Sequence, residues 1–323
     1  MKKKIFSALL VTGIAAGMLG SAASAEEETI KIGYSPYTLT NEYFSAIQQG
    51  LQEKCDELGM ELITYDPQND ATVQAQQIED MITQGVQAVV YLPVDFRGAR
   101  SVAENCKENG VYVVNADAIV DEEDYDVVDA IVASDNPGLG HLSGEWVTEH
   151  YPDGANILIV HLQTGAACIE NVEGFWQGIE DTAEDPSLYV EVDVVEGGGA
   201  TDIAFTAVSD ALQAYDDIDV IYCINDTSAA GAIEACEEAG RLDEISIVGK
   251  DAAPLGKQNI ADGKQVQSSG QSPLSVGSVS AERAYALING ESAENGDFEF
   301  YTKIPAYNVD QDNIDEFDLE SWG

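Results

Sequence analysis

Five polar residues share one kind of position in this chain. Asn41, Asp117, Asn225, Asp226 and Asp251 each follow a short apolar run or the loop just after one. Aromatic side chains crowd the first of them, at Tyr34, Tyr37, Tyr43 and Phe44. Carboxylates accept from hydroxyl groups and amides both accept and donate, while ring faces cover C–H surface. That combination suits a small polyhydroxylated molecule. At any single position, Asp or Asn is as well explained by a helix N-cap or a turn. Five at corresponding places point to a site.

Other chemistries lack their motifs. The three histidines, His141, His150 and His161, form no H-E-x-x-H pair, and no G-x-S-x-G elbow occurs. Gly256-Lys257 and Gly263-Lys264 lack the upstream glycine and the hydroxyl of a phosphate loop. Gly197, Gly198 and Gly199 lack the rest of a dinucleotide fingerprint and are expected as turn residues. In the acidic run 310–315, Ile314 stands where a calcium loop needs a ligand, so a solvated tail is expected there. The five cysteines (Cys55, Cys106, Cys168, Cys223 and Cys236) contain no C-x-x-C, and an odd count leaves at least one unpaired. They are expected as small buried hydrophobes.

Charge narrows the partners. The 323 residues carry 59 acidic against 14 basic side chains, a formal charge of −45. Nucleic acid and anionic membrane surfaces would repel such a chain. A hydrophobic content of 45% is enough for packed cores, and the length suggests two domains. The first 25 residues have the form of a secretory signal peptide. Lys2, Lys3 and Lys4 precede an apolar stretch at 5–19, and Ala23-Ser24-Ala25 forms an A-x-A cleavage site. Cleavage would leave 298 residues and a charge of −48, with no cysteine beside the site for a lipid anchor.

The elements that must position these residues alternate. Short apolar runs at 30–34, 61–65, 88–92 and 111–115 read as strands, with helices at about 41–58, 72–84 and 101–109 between them. Phe44, Ile47, Leu51, Cys55 and Leu58 make one buried stripe along the first helix. Strands at 156–161, 190–195, 220–224 and 245–248 repeat the order, with helices at 171–180, 201–214 and 228–239. AVVYLPVD at 88–95 and DVIYCIND at 219–226 align at an offset of 131 residues, which marks a duplication. The pattern predicts an α/β protein of two doubly wound parallel sheets, with ligands at the carboxyl ends of the strands. Right-handed crossovers would put the helices of Cys55 and Cys106 on opposite faces of the first sheet, so no bridge is expected between them.

With those residues in place, the chain resembles the periplasmic sugar-binding proteins of ABC importers, the ribose/galactose-binding group of the type I periplasmic binding protein fold. The marks are Thr40-Asn41-Glu42-Tyr43-Phe44 with Gly50, Ala133-Ser134-Asp135-Asn136, Glu173-Gly174-Phe175, Ile224-Asn225-Asp226 with Ala230-Gly231-Ala232, and Val248-Gly249-Lys250-Asp251. The resemblance implies two similar lobes joined by a three-segment hinge, crossed near Ser134, Gln271 and Tyr301. Residues 26–134 with 272–301 would form the first lobe, and 135–271 with 302–323 the second. It also implies a non-enzymatic receptor without cofactor or metal, closing on a small neutral sugar, polyol or related metabolite. The receptor would be exported, monomeric and partnered by an ABC permease. A receptor for a chemotaxis or two-component sensing system is the alternative.

The same resemblance assigns roles. Tyr43 and Phe44 correspond to ring-covering aromatics with Asn41 beside them, and Tyr37 to an early polar contact. Asp117 corresponds to a hydroxyl-binding carboxylate, and Asn225, Asp251 and Gln271 to contacts of the second lobe and hinge. Asn171 stands where the family often has arginine and completes the candidate set. Ala118 replaces another such arginine, and Ala200 a second-lobe aromatic. Lys250 replaces a further aromatic, either as a compensating donor or, the favoured reading, as a lysine facing solvent.

Overall fold

The computed structural model describes residues 29–322. The signal-peptide expectation for residues 1–25 therefore lies outside the described residues. The first sheet is built from β1 (Lys31–Ser35), β2 (Glu61–Thr64), β3 (Ala88–Tyr91), β4 (Tyr112–Ala116) and β5 (Ala130–Ser134). The helices α1 (Glu42–Leu58), α2 (Ala71–Thr83) and α3 (Phe96–Glu108) connect its first four strands. After β5 the chain crosses into α4 (Asn136–His150) and lays down β6 (Ala155–His161), β7 (Tyr189–Glu196), β8 (Val220–Cys223), β9 (Ser246–Asp251) and β10 (Gln267–Gly270). Between them run α5 (Ala166–Thr182), α6 (Thr201–Ala214), α7 (Asp226–Ala239) and α8 (Pro254–Ala261). It returns through α9 (Pro273–Ile288) to β11 (Tyr301–Ile304), then crosses again to β12 (Tyr307–Asp310).

The two six-stranded sheets share one order: β11-β5-β4-β3-β1-β2 and β12-β10-β9-β8-β6-β7. The first is parallel throughout, and in the second only β12 runs antiparallel, against β10. Both are covered on both faces, as parallel sheets require. Side-chain alternation sorts the first sheet: Val90, Val114 and Val132 join Cys55 in one core, while Val89, Tyr91, Val113 and Ile131 join Cys106 in the other. The two thiols thus sit on opposite faces, and all five cysteines are unbridged. Burial pushes Cys55 and Cys106 up to about 12, the pKa of an inert thiol.

Two expectations are corrected here. The resemblance puts the third crossing at Tyr301, but β11 pairs with β5 in register Tyr301↔Ile131 to Ile304↔Ser134, so residues 301–304 lie in the first sheet. The crossing falls at Pro305 and Ala306. The acidic run 310–315 is also not simply a solvated tail. Asp312 and Asp315 are exposed, but Asp310 ends β12, and Ile314 packs with Phe317 on Ala252, Ile260 and Val309. No helix among the described residues is long and apolar enough to cross a membrane.

The helices that follow the first two crossings pack unusually close to their neighbours. A Cβ on Gly140 of α4 would stand 1.9 Å from the Asn171 carbonyl of α5, and one on Gly174 would stand 2.1 Å from the Pro137 carbonyl. In the first lobe, Gly50 of α1 and Gly277 of α9 show the same reciprocal approach to Leu274 and Ile47. The obstacles are main-chain atoms, which cannot turn aside. Gly140→Ala should therefore destabilise the protein by roughly 1–3 kcal/mol, the cost of overpacking. Gly98→Ala, where the nearest atom is 3.7 Å away, should stabilise it by about 0.5–1 kcal/mol. Urea titrations of both variants check this; equal midpoints would contradict it.

Candidate ligand-binding site

The two carboxylates read from the sequence occupy equivalent places. Asp117 follows β4 and Asp251 ends β9, and each of those strands is third from the same edge of its sheet. Both leave the strand through left-handed backbone, with φ of 58° and 109°, and Ala252 follows at 47°. Such conformations cost on the order of 1–3 kcal/mol in non-glycine residues and persist only when neighbours enforce them. The enforcing contacts are polar. Asn115 donates to the carbonyls of Tyr91 and Ala118 and accepts from the Val120 amide, fixing the loop after β4. Asp226, 1% exposed, accepts from the Ala253 amide, Ser268 and Gln265, fixing the loop after β9.

One line of hydrogen bonds joins the carboxylates across the lobes. The Tyr43 hydroxyl donates to Asp117 Oδ1 at 2.8 Å and lies 3.1 Å from Gln271 Oε1. Gln271 accepts from Ser134 at 2.9 Å and donates through Nε2 to Asp251 Oδ1 at 2.7 Å. Lys250 Nζ stands 3.2 Å from the same oxygen. A tyrosine has one hydroxyl hydrogen, so with Asp117 ionised it points there, and Ser134 supplies the oxygen of Gln271. Among the described residues each carboxylate engages through Oδ1. Neither Oδ2 accepts a hydrogen bond among the described residues.

The electrostatics follow from burial. Desolvation raises the Asp117 pKa above the usual carboxylate range, against the pull of the Tyr43 hydrogen bond and of Lys250. Asp251 is raised by the same cause, with Lys250 and Gln271 opposing. Lys250 is pulled down by burial, but Asp251, Cys168 and Asp117 outweigh that and hold it above its ordinary value. The lysine favoured as facing solvent is thus corrected: its side chain is 10% exposed and paired with Asp251. Burial, and then the charge of Asp117, raises the hydroxyls of Tyr34, Tyr37 and Tyr43, which surround that carboxylate.

Aromatic rings line one side. Phe44 meets Tyr37 edge-on at 5.2 Å and Tyr43 at 5.5 Å. Tyr34 donates to the Phe44 carbonyl, holding the start of α1 against β1. The structure therefore brings Tyr37, Tyr43, Phe44, Asp117, Asp251 and Gln271 together. It gives the remaining three other work. Asn41 is exposed and caps α1 through the Tyr43 amide. Asn225 caps α7 through Ser228 and donates to the Gly199 carbonyl. Asn171 is fully buried, accepting from Tyr222 and donating to the Asn136 carbonyl, so it faces the α4–α5 contact. Sequence reasoning missed Asn115, which lies inside an apolar strand and carries no local motif. It also missed Trp322, whose indole stands 5.6 Å from the Tyr43 ring.

Comparison with known proteins identifies the family and the fold. Residues 32–292 match the family description of a periplasmic binding protein domain. The ribose import binding protein of Bacillus subtilis is 27% identical over 271 residues, covering 84% of this chain and 86% of that protein. A solved ABC transporter solute binding protein from Bacillus halodurans, with myo-inositol bound, is 26% identical at a TM-score of 0.77, covering 91% of this chain and 98% of that one. A periplasmic solute binding protein from Actinobacillus succinogenes, with bound D-allose, shares the fold at a TM-score of 0.80 and 21% identity, over 90% of this chain and 100% of its own. Two like-ordered sheets and the match over residues 32–292 fit one assignment: the chain belongs to the periplasmic binding protein family, as a non-enzymatic substrate-binding protein of the type I fold.

Proposed function

We propose that this protein is an extracytoplasmic receptor that binds a small neutral sugar or cyclic polyol between its lobes and delivers it to an ABC permease. The line from Asp117 through Tyr43 and Gln271 to Asp251 carries this reading, because it presents one carboxylate from each lobe beside a set of rings. Hydroxyl groups satisfy such acceptors, and C–H faces satisfy the rings. Two carboxylates beside one ammonium disfavour an anion. Relatives that bind ribose and myo-inositol support the ligand class. Ligand bound from both lobes would favour the closed arrangement, by hinge motion at the three crossings. The signal-type leader at residues 1–25 supports export, with the mature protein acting as a monomer.

Binding should occur without turnover. A thermal-shift screen with D-ribose, D-allose and myo-inositol should find a ligand that raises stability by about 2.7 kcal/mol at a hundredfold excess over Kd. That ligand should be recovered chemically unchanged, and conversion in proportion to protein would refute the receptor reading. Asp251→Asn should remove charge-assisted hydrogen bonds worth about 1.5–3 kcal/mol, one to two decades in Kd. Calorimetry on the folded variant reads this directly. Parent-like affinity would make Asp251 a structural residue of its loop.

A further inference from the structure

We propose that Trp322 is the ring-covering wall that the second lobe contributes to this pocket, carried there by the segment 317–322 and held by the ammonium of Lys257. The proposal rests on the sugar-receptor reading above and names the part of the ligand that Trp322 recognises.

Two observations carry it. The first is the contact itself: the Trp322 indole meets the Tyr43 ring at 5.6 Å and 74°. Tyr43 is the residue whose hydroxyl joins Asp117 to Gln271. Among the described residues this is the one aromatic pair that bridges the lobes. Two rings at that angle form a corner, able to cover a flat C–H face with one wall and its edge with the other.

The second observation is that the segment belongs to the second lobe and is anchored there. Phe317 stacks on Tyr307 at 5.8 Å and 16°, and packs with Ile314 on Ala252, Ile260 and Val309. Lys257 of α8 is fully buried, and its Nζ donates to the main-chain carbonyls of Asp318 and Ser321, the latter at 2.6 Å. A buried ammonium without these acceptors would be strongly unfavourable. The dependence is mutual: the carbonyls solvate Lys257, and Lys257 fixes the peptide that ends in Trp322. Burial lowers the Lys257 pKa against the opposing charges of Asp318 and Asp226.

The ligand class follows: a furanose, pyranose or cyclitol with an apolar ring face, rather than an acyclic polyol.

The test is calorimetric titration of the parent with D-ribose, D-allose, myo-inositol and the acyclic polyol D-sorbitol, then of variants with the ligand that binds. Trp322→Ala should weaken binding on the order of ten- to a hundredfold, and Trp322→Phe should recover most of that loss. Lys257→Met should weaken binding comparably, and the Lys257→Met, Trp322→Ala double variant should bind no worse than the weaker single, because both act through one segment. The change in tryptophan emission on ligand addition should lose most of its amplitude in Trp322→Phe, a readout that stands even if the alanine variant fails to fold. Unchanged affinity in a folded Trp322→Ala, or full emission change in Trp322→Phe, overturns this proposal alone. Preference for D-sorbitol over the cyclic compounds overturns it as well. A parent that binds none of the four overturns the receptor reading and this proposal with it.

Discussion

Gln271 is the residue on which the two halves of the site depend. It sits just past β10, at a crossing, and its amide faces Ser134 of another crossing, Tyr43 of the first lobe and Asp251 of the second. An amide has one accepting and one donating end, so its orientation is fixed by what it meets. Here the oxygen faces two hydroxyls and the nitrogen a carboxylate. Reversal would set oxygen against carboxylate. The hinge therefore carries a polarity: the first lobe presents a donor to it, Ser134, and the second an acceptor, Asp251. A change in the angle between the lobes would alter these bonds.

The strained backbone at Asp117 and Asp251 shows how the rest of the fold serves this line. Both residues are turned out of their strands at positive φ, and each loop has a buried polar side chain to hold it there. The two lobes solve the problem differently. Asn115 is neutral and uses an amide, whereas Asp226 brings a third carboxylate beneath the second loop, where burial and the charge of Asp251 raise its pKa. The second half of the site is therefore the more acidic, and the buried Lys250 stands beside it as the compensating cation. Duplication preserved the position of each carboxylate and let the supporting chemistry diverge.

How much of this is legible in the sequence depends on how local the signal is. Strand runs such as AVVY at β3 and the stripe of α1 are plain because period and burial coincide there. The α4 helix is not: Leu139, Gly140, Ser143, Gly144, Trp146 and Val147 are buried on more than one side, between α5 and the second sheet, so no polar face marks it. The paired aspartates are visible because each follows an apolar run. Asn41 and Asn225 act as caps, and because a cap and a ligand donor use the same residue types at the same strand ends, sequence does not separate the two roles. Lys250 is misjudged because its partner is the adjacent residue, and sequence does not reveal which way a side chain turns at a strand's end. Trp322 lies in a short acidic segment whose role is set by Lys257, 65 residues earlier.

The close-packed helix pairs have a consequence for how the chain is made. α9, which completes the first lobe by locking onto α1, is translated only after five of the six strands of the second lobe, and β11 later still. A nascent polypeptide thus exposes an unfinished first core, with Ile47 and Leu51 awaiting Val276 and Ala284, until nearly all of it has left the ribosome. Contacts of such long sequence separation form slowly. The architecture that makes each lobe rigid in the finished protein delays its folding during synthesis, which is the condition under which a polypeptide can still be threaded through a narrow translocation channel.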